Sequence, residues 1–443
     1  MALFAEAPRG LEFVAAAEIA HALRGCGGSV AASAHVRAHD GMGVVEFGFV
    51  RPADNAAAAA AYEAVLALRT TDDVYAQFVC VPRGVPTEHD AGLAFLLVAA
   101  AEADGTRIRT ARRVLRDVAA LTARGLPRRE DGAPPDLVRC AFRATCDRCV
   151  LRLAQRHGYS RVEAAGWAGS GLQLRTAWPI ALAGFDVQQH VHCCDDAAWM
   201  GLALTRRAPK TAMHRRHHTA LCKTTMKASI AAAMCLLANG GSGAGDSGGP
   251  DDGGEFGSGG DAGRCDGPRR ACMRGWREKP RVVCDMMCGS GTIPLEAAAV
   301  AGDAPCCVLG GEVASAYAAS TLANLRACGR AGAVARRVSV LNWDARALPL
   351  RSGVVDAVVC DMPYGLRCGN ARKNARRYGA ILAEVARVLA PGARAWLLTT
   401  ETKLVRRCLA DVPQLQHTGS YCVDNSGLPV ELFCLTKPAE RGQ

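Results

Sequence analysis

Aromatic side chains are scarce in this sequence, because Phe, Trp and Tyr together supply only 5% of its 443 residues. Alanine is very common, which weakens any argument from single-residue propensity. No apolar run reaches the roughly 20 residues that a membrane-spanning helix needs. The first residues, 1–6, show no basic region ahead of an apolar core, so they do not predict a secretory signal peptide.

Two CxxC pairs at the spacing of a zinc site are also missing. The 21 cysteines are spread over the whole chain, and we interpret them as reduced intracellular thiols and not as a disulfide framework. The CxxC at 146–149 lacks a second pair at zinc-site spacing, and Cys193 and Cys194 do not supply one. We therefore predict no metal site and a cytoplasmic protein, with the nucleus as the alternative compartment.

Positive charge is in excess, with 53 Lys and Arg against 42 Asp and Glu, a formal charge of +11. This balance favours a polyanionic partner such as a nucleic acid. Arginines are concentrated in a predicted helix around 107–116, and the predicted strand 138–144 carries arginines on one face. The histidines at 214, 217 and 218 stand among basic residues and fit the same kind of surface better than a metal site. The candidate phosphate-contacting side chains here are Arg109, Arg112, Arg113, Arg143, Arg148, Arg215 and Arg216.

Patterning divides the chain into segments. Helix-like and strand-like stretches alternate over 1–80 and again, with more basic character, over 81–190, which predicts small α/β units. A linker with its following helix occupies 191–238. Residues 239–270 are dominated by Gly, Ser, Asp and Ala, a composition that predicts a flexible insertion. Strands at 171–178 and 183–188 are also expected.

The segment 271–438 alternates strand and helix and predicts a parallel, doubly wound sheet with an antiparallel end. Its expected strands are 282–285, 307–311, 338–340, 354–360, 393–399, 420–423 and 430–435.

A glycine-rich turn follows the first of these strands. Gly289 and Gly291 allow a backbone to approach a ligand where a Cβ would collide. Pro294 stands where the dinucleotide fingerprint has its third glycine, which argues against NAD. Asp285, at the strand end, suits a cationic or amino-bearing ligand.

Two further carboxylates end successive strands. Glu312 lies about 20 residues beyond the glycines, the spacing at which a carboxylate binds ribose hydroxyls. Asp344 follows the third strand and could face an adenine amino group. Each alone is an ordinary turn residue; as an ordered series they indicate a ligand site.

The stretch from Val354 to Gly365 is a buried apolar strand that runs directly into Asp361-Met362-Pro363-Tyr364. Pro363 removes a backbone donor and restricts Met362 to an extended conformation, so the strand must end there. A carboxylate, a rigid turn and an aromatic ring therefore meet at the carboxyl edge of the sheet, where open α/β sheets bind ligands.

These motifs resemble those of S-adenosylmethionine-dependent methyltransferases. Asp361–Tyr364 is similar to the Asp/Asn-Pro-Pro-Tyr/Phe signature of enzymes that methylate exocyclic amino nitrogens. The stretch 285–298 resembles a motif of THUMP-domain RNA guanine-N2 methyltransferases, and 142–148 resembles a strand of their eukaryotic tRNA branch. Further similarity lies at 7–12, in His214-Arg215-Arg216, and at 365–369, which includes Arg367, a further candidate RNA-contacting residue.

The resemblance implies a C-terminal Rossmann-like methyltransferase domain, preceded by a ferredoxin-like domain (1–80) and a THUMP RNA-binding domain (81–190). It implies N2-methylguanosine formation in the tRNA acceptor stem, and a small zinc-binding activator protein as a partner. Asp361, the carbonyl of Met362 or Pro363, and Tyr364 would receive the target base. The residues expected to bind S-adenosylmethionine are Asp285, Cys288, Gly289, Gly291, Thr292, Glu312, Asp344 and Asp361.

Three features depart from the family pattern: Met286 replaces a proline, Leu366 replaces a lysine, and the glycine-rich insertion is extra. Two alternatives therefore stay open. The same chemistry could act on a small nuclear or ribosomal RNA, or the chain could be a non-catalytic RNA-binding protein that retains the fold.

Overall fold

The computed structural model describes residues 1–122, 137, 140–149, 157–204, 219–222, 225–239, 281–328, 333–365, 371–425 and 427–439. The chain divides into two compact units, Met1–Met213 and His214–Gln443. Most of the predicted insertion at 239–270 lies outside the described residues, as do residues 205–218 of the predicted linker. No described helix is long and apolar enough to cross a membrane.

The first unit is a seven-stranded sheet with its helices. Its elements are β1 (Ala2–Glu6), α1 (Glu12–Gly25), α2 (Gly28–Ser33), β2 (His35–His39), β3 (Val44–Gly48), α3 (Asn55–Leu66), β4 (Asp73–Val81), α4 (His89–Ala101), α5 (Gly105–Leu121), β5 (Phe142–Cys149), α6 (Arg161–Thr176), β6 (Val187–Cys194) and β7 (Ala197–Ala203).

The strand order is β2-β3-β1-β4-β7-β6-β5. The first four strands are all antiparallel, in the order β4-β1-β3-β2 of a ferredoxin-like unit, which confirms that part of the predicted fold class. β4 also pairs with β7, so the sheet continues without a break across the boundary that we predicted at residue 80. The predicted 1–80 and 81–190 segments are joined here in one unit that extends to Met213.

The strand predicted at 171–178 is wrong, because these residues largely belong to helix α6. Ser160 and Glu163 form a reciprocal capping box that starts this helix, and Ala177 ends it with a left-handed backbone at φ 56°. Gly171, where the predicted strand began, serves helix packing. A Cβ there would lie 2.2 Å from the Leu97 carbonyl oxygen, so glycine permits close packing of α6 on α4. The strand predicted at 183–188 begins only at Val187.

Most of the described cysteines are free thiols, as predicted. Cys194, at the end of β6, is disulfide-bonded, so the prediction of reduced thiols is wrong at this position.

The second unit is built on another seven-stranded sheet. Its elements are α7 (Ala228–Asn239), β8 (Val282–Asp285), α8 (Thr292–Val300), β9 (Cys307–Glu312), α9 (Ser315–Ala327), α10 (Ala333–Arg337), β10 (Val338–Asn342), β11 (Val355–Asp361), α11 (Ala371–Val388), β12 (Leu389–Thr399), α12 (Thr402–Leu409), β13 (Gln416–Asn425) and β14 (Leu428–Thr436).

The strand order is β10-β9-β8-β11-β12-β14-β13. Pairs from β10 to β12 are parallel, whereas β14 is antiparallel to both β12 and β13. The predicted parallel sheet with an antiparallel end is therefore confirmed. Strand order reverses between β8 and β11, and the carboxyl ends of the parallel strands share one edge there, where such sheets bind ligands.

Candidate active site

The glycine turn after β8 has the backbone that its sequence predicts. Gly289 and Gly291 both have left-handed backbones, with φ of 55° and 87°. The turn closes with a 2.7 Å hydrogen bond from the Gly291 N–H to the Cys288 carbonyl, and the Thr321 hydroxyl donates to the Gly289 carbonyl over 2.8 Å. A Cβ on Gly291 would lie 2.5 Å from Thr321 Cγ2, so glycine is needed for both conformation and space.

Cys288 and Thr292 are parts of this turn and are buried. Thr292 is the first residue of α8, and the Cys288 thiol lies 3.8 Å from the Thr321 hydroxyl. Burial raises the pKa of Cys288, so the thiol stays protonated and inert.

Glu312 holds the turn from the end of β9. Its carboxylate accepts hydrogen bonds from the Gly289 N–H at 3.1 Å and the Ala314 N–H at 2.9 Å, one on each oxygen. Because a carboxylate has about four acceptor sites, lone pairs remain for ligand hydroxyl groups. The predicted position of Glu312 beside the glycine turn is therefore seen in the structure.

Asp285 is buried at the end of β8. Burial raises its pKa to about 8, and the negative charges of Asp361 and Glu312 add to the rise. The Met287 N–H, 3.1 Å from Oδ1, and the Cys360 thiol donate to the carboxyl and oppose the shift. Three acidic groups thus converge at one sheet edge, and a cationic ligand there would lower the cost of ionising Asp285 and Asp361.

Asp361 ends β11, which pairs directly with β8. Its Oδ1 and the Tyr364 hydroxyl are both buried, and neither forms a hydrogen bond of normal geometry to a described residue, although the two groups are close enough to interact with each other. Burial raises the pKa of Asp361 to about 7, and the Tyr364 hydroxyl partly opposes this shift. An unsatisfied buried acceptor is uncommon in a folded protein and indicates a site that a ligand completes.

The Pro363 carbonyl, one of the two carbonyls proposed for the target base, is already occupied. It accepts hydrogen bonds from Asn374 Nδ2 and from the Tyr378 hydroxyl, both at 2.9 Å. The Met362 side chain is buried, and its N–H donates to the Leu398 carbonyl over 2.9 Å, which anchors the turn to β12.

Asp344 lies beyond β10 but is engaged elsewhere. Arg346 binds both of its carboxylate oxygens, with Nε 3.0 Å from each, and holds the pKa of Asp344 down at about 2. The neighbouring Trp343 is buried and donates from Nε1 to the Met286 carbonyl over 3.1 Å. Trp343 thereby fastens the cofactor-side turn at the position where Met286 replaces the family's proline.

Asn324 in α9 is a fully buried residue that sequence reasoning missed, because no local pattern marks it. Its Nδ2 donates to the carbonyls of Ser290 and Ala220, and its Oδ1 accepts from the Ala220 N–H, all at 2.8 Å. The Thr225 hydroxyl adds a 2.9 Å contact to the Ser290 hydroxyl. The chain ahead of α7 is thus attached to the glycine turn, although the two are distant in sequence.

The candidate RNA-contacting arginines whose side chains the structure describes fall into two groups. Arg109 and Arg113 are exposed on α5, whose opposite face packs into the core. Arg112 instead donates to the Leu137 carbonyl and lies over the Trp178 ring, and Arg143 donates to Gln188 Oε1 and lies over the Phe185 ring. The remaining candidates, whose side chains lie outside the described residues, are Arg148, Arg215, Arg216 and Arg367.

One group of potential metal-ligand atoms occurs among the described residues, in the first unit. Glu6, His190 and His192 offer atoms within 4.8 Å of one another. Glu6 Oε1 lies 2.8 Å from His190 Nε2 and 3.0 Å from His192 Nδ1. The three side chains therefore form a buried hydrogen-bonded cluster that needs no metal ion to hold it together.

Residues 272–430 match the family described as UPF0020: RMKL-like, methyltransferase domain. The chain is 28% identical over 318 residues to the tRNA (guanine(6)-N(2))-methyltransferase THUMP3 of Bos taurus, which covers 70% of this chain and 53% of that protein. It is 31% identical over 158 residues to the tRNA (guanine(6)-N2)-methyltransferase of Thermus thermophilus, covering 35% of this chain and 44% of the relative. The chain therefore spans about half the length of the curated relatives it matches.

Two solved structures share the fold. TrmN from Thermus thermophilus has a TM-score of 0.61 at 20% identity and covers 98% of this chain and 99% of its own. SMU.472, a methyltransferase complexed with SAH, has a TM-score of 0.58 at 14% identity over 100% of this chain and 99% of its own. Residues 272–430 are thus similar to the RMKL-like methyltransferase domain, within a chain that is similar over most of its length to THUMP3 tRNA guanine-N2 methyltransferases.

Proposed function

We propose that this chain transfers a methyl group from S-adenosylmethionine to the exocyclic N2 of guanine in the acceptor stem of tRNA. The observation that carries the proposal is the buried Asp361 Oδ1 at the carboxyl edge of β11, beside the glycine turn, which forms no hydrogen bond of normal geometry to a described residue. The activities for which the THUMP3 and Thermus relatives are named support the choice of tRNA and of guanine N2.

The residues of the sheet edge fit S-adenosylmethionine. Glu312 retains lone pairs for ribose hydroxyls, and the glycine turn leaves room for close backbone approach. The buried Asp285 suits the amino group of the methionine moiety, since a cation there would offset the cost of ionising it. When bound, S-adenosylmethionine supplies an electrophilic methyl group. We assign no cofactor contact to Asp344, whose carboxylate oxygens already bind Arg346.

Asp361 would activate the amino group. The lone pair of guanine N2 is delocalised into the ring, which makes the nitrogen a poor nucleophile. A hydrogen bond from its N–H to Asp361 Oδ1 would localise that lone pair, and the carboxylate can hold the proton that the nitrogen releases on methylation. Tyr364 follows in the chain and would stack on the base after it leaves its helix.

The exposed arginines of α5 support an RNA substrate, since they can neutralise phosphates without reading sequence. A small zinc-binding activator protein as a partner and a cytoplasmic location belong to the same proposal. The activator rests on the sequence resemblance, and the location rests on the cysteine distribution.

The test is nucleoside mass spectrometry after incubating the full chain with S-adenosylmethionine and separate pools of tRNA, small nuclear RNA and ribosomal RNA, with and without the candidate activator. We expect N2-methylguanosine in the tRNA pool, and a loss of about 100-fold or more in Asp361→Ala. If Asp361→Ala binds RNA and methylates at a near-normal rate, the proposed mechanism is wrong.

The other outcomes select the alternatives. Product confined to small nuclear or ribosomal RNA would redirect the substrate. Failure to bind S-adenosylmethionine by calorimetry, with RNA binding retained, would identify a non-catalytic RNA-binding protein.

A further inference from the structure

The carbonyl of Pro363 is held from one side by helix α11. Asn374 and Tyr378 are four residues apart, so they lie on the same face of this helix. Both are fully buried, and both donate to the Pro363 oxygen at 2.9 Å. Because a carbonyl oxygen has two lone pairs, these two bonds use its full acceptor capacity.

The two donors are themselves fixed by the end of β12. A carbonyl can only accept, so the Tyr378 hydrogen points to Pro363, and the Thr399 hydroxyl, 2.8 Å away, donates to the Tyr378 oxygen. Thr399 Oγ1 in turn accepts from the Glu401 N–H at 3.0 Å. Glu401 Oε1 accepts from Asn374 Nδ2 at 3.3 Å. The network leaves neither donor a second orientation that preserves its bonds.

We propose that Asn374 and Tyr378 are positioning residues, a clamp on Pro363 that fixes the turn carrying Asp361 and Tyr364. The inference rests on the proposed function and deepens it. The peptide plane after Pro363 sets the direction in which the chain leaves the turn, and Tyr364 follows immediately. With the clamp in place, the Asp361 carboxylate is presented in one geometry before substrate arrives, which is the condition for efficient electrostatic catalysis.

The clamp also distinguishes between the carbonyls of Met362 and Pro363, either of which the sequence offered as an acceptor for the target base. The Pro363 oxygen has no capacity left for an N–H of the target base. Asp361 Oδ1 therefore shares that task with the Met362 carbonyl. Neither Asn374 nor Tyr378 is required to touch the base.

The matched variants are Tyr378→Phe and Asn374→Leu, which remove one donor each, with Tyr421→Phe as the control. Tyr421 is a buried tyrosine of β13 in the same unit, stacked on Trp396 and outside the clamp. We expect kcat to fall about 10-fold in each clamp variant and about 100-fold in the double variant, since displacing a reacting group by 1 Å can cost 100-fold. Affinity for S-adenosylmethionine and the KM for tRNA should stay within twofold of wild type.

Asn374→Leu separates positioning from stability. Asn374 Oδ1 is buried without a hydrogen-bond partner among the described residues, so replacing the amide by an apolar side chain also removes an unsatisfied acceptor. The Pro363 oxygen keeps its bond from Tyr378, so the lost Asn374 donor should lower the melting temperature only slightly while kcat falls about 10-fold. A purely structural residue would lower the melting temperature clearly and leave kcat near the wild-type value.

Hydrogen exchange of the 361–365 backbone supplies a readout that does not depend on activity. We expect faster exchange in both clamp variants and no change in Tyr421→Phe. Wild-type kcat in both clamp variants, or wild-type exchange at the turn, overturns the clamp. An inactive wild-type chain contradicts the proposed function instead, and the exchange measurement then still decides the clamp. If a variant fails to fold, Thr399→Ala tests the same network from its second layer.

Discussion

At the scale of single residues, Asp361 is a carboxyl group whose charge is costly in the unliganded protein. Burial raises its pKa to about 7, whereas an exposed aspartate is ionised well below that pH. Only the ionised form can accept hydrogen bonds on both oxygens from an amino group and then hold its proton. The catalytic competence of the free enzyme should therefore depend on pH in the neutral range.

We expect kcat/KM to rise with pH and to level off above about 7, with the unprotonated Asp361 as the active form. In Asp361→Asn, the amide oxygen still accepts a hydrogen bond but does not titrate, so this variant should keep reduced activity without that rise. The measurement is kcat/KM for both proteins from acidic to alkaline pH, on either side of neutrality. A rise of equal size in Asp361→Asn would assign the titration to another group.

Gly291 is the second residue for which the surroundings restrict the choice of side chain. In Gly291→Ala, we expect at least a 10-fold loss of affinity for S-adenosylmethionine, since the new Cβ meets Thr321 Cγ2 at 2.5 Å and loosens the Thr321 bond to Gly289. Gly353→Ala is the matched control, because Gly353 also has a positive φ, 72°, but no atom lies within 4 Å of the place that its new methyl group would take. The control should lose about 1 kcal/mol of stability and no affinity. Calorimetry and thermal unfolding measure the two effects, and equal losses of affinity would attribute the effect to the backbone alone.

The sequence located those site residues that follow strands. Asp285, Glu312 and Asp361 could be predicted because each ends a buried strand, and parallel strands bring their carboxyl ends to one edge. Asn374 and Asn324 could not be found in this way. Each acts on a backbone carbonyl of a distant turn, and nothing in local spacing marks such a contact.

At the scale of elements, α9 joins the glycine turn to the segment ahead of α7 through the side-chain amide of Asn324. Asn324 bonds the Ser290 carbonyl on the glycine turn and both backbone groups of Ala220. Replacing it should leave the buried Ser290 carbonyl and the partly buried Ala220 backbone groups short of partners. The turn would then sample other conformations, and the cofactor would have to select one of them.

In Asn324→Ala, we expect affinity for S-adenosylmethionine to fall about 10-fold and hydrogen exchange over residues 288–292 to accelerate. Thr225→Val is the milder comparison, since it removes the hydroxyl contact to Ser290 and leaves the amide bridge intact. A smaller effect in Asn324→Ala than in Thr225→Val would contradict the assigned order of importance.

Helices and strands were predicted unequally well. The strands of the second unit are short apolar runs that end in turn residues, and their order along the chain was enough to predict a parallel sheet. In the first unit the same approach failed at α6, where small residues serve helix packing and alternate with leucines by coincidence. The capping box at Ser160 and Glu163 was the local signal that would have corrected the prediction.

At the scale of the molecule, the first unit contains a charged cluster that joins distant parts of its sheet. Glu6 on β1 contacts His190 and His192 on β6. These contacts lower the pKa of Glu6 well below its usual value despite burial, and Glu6 in turn raises the pKa of His190. The Glu6 contribution to stability is lost as pH falls through its lowered pKa, and the His190 contribution is lost as pH rises through its raised pKa.

Glu6→Gln should therefore destabilise the chain most at mildly acidic pH, by about 3–5 kcal/mol, since it leaves buried imidazolium charge unpaired. At alkaline pH, above the raised pKa of His190, the His190 imidazole is neutral and the difference should shrink. Thermal unfolding across this range checks the prediction. Asp90→Asn, which removes an exposed partner of His89, should leave the stability nearly unchanged, because solvent screens exposed ion pairs. A pH-independent effect of Glu6→Gln would show that shape and not charge is responsible.

The continuity of the first sheet could not be predicted from the sequence. The pairing of β4 with β7 joins residues more than a hundred positions apart, and both strands are apolar enough to pair with several partners. The resemblance supplied the identities of the predicted domains, whereas the sheet register that unites them comes only from the structure.

The Asn324 bridge between Ala220 and the glycine turn has a consequence for chain length. α7 ends at Asn239 and β8 begins at Val282. For a flexible chain that joins two fixed points, the entropy lost on closure grows only with the logarithm of its length, about 0.6 kcal/mol for each doubling. Flexible residues added between Asn239 and Val282 should therefore cost little stability and leave the Asn324 bridge intact.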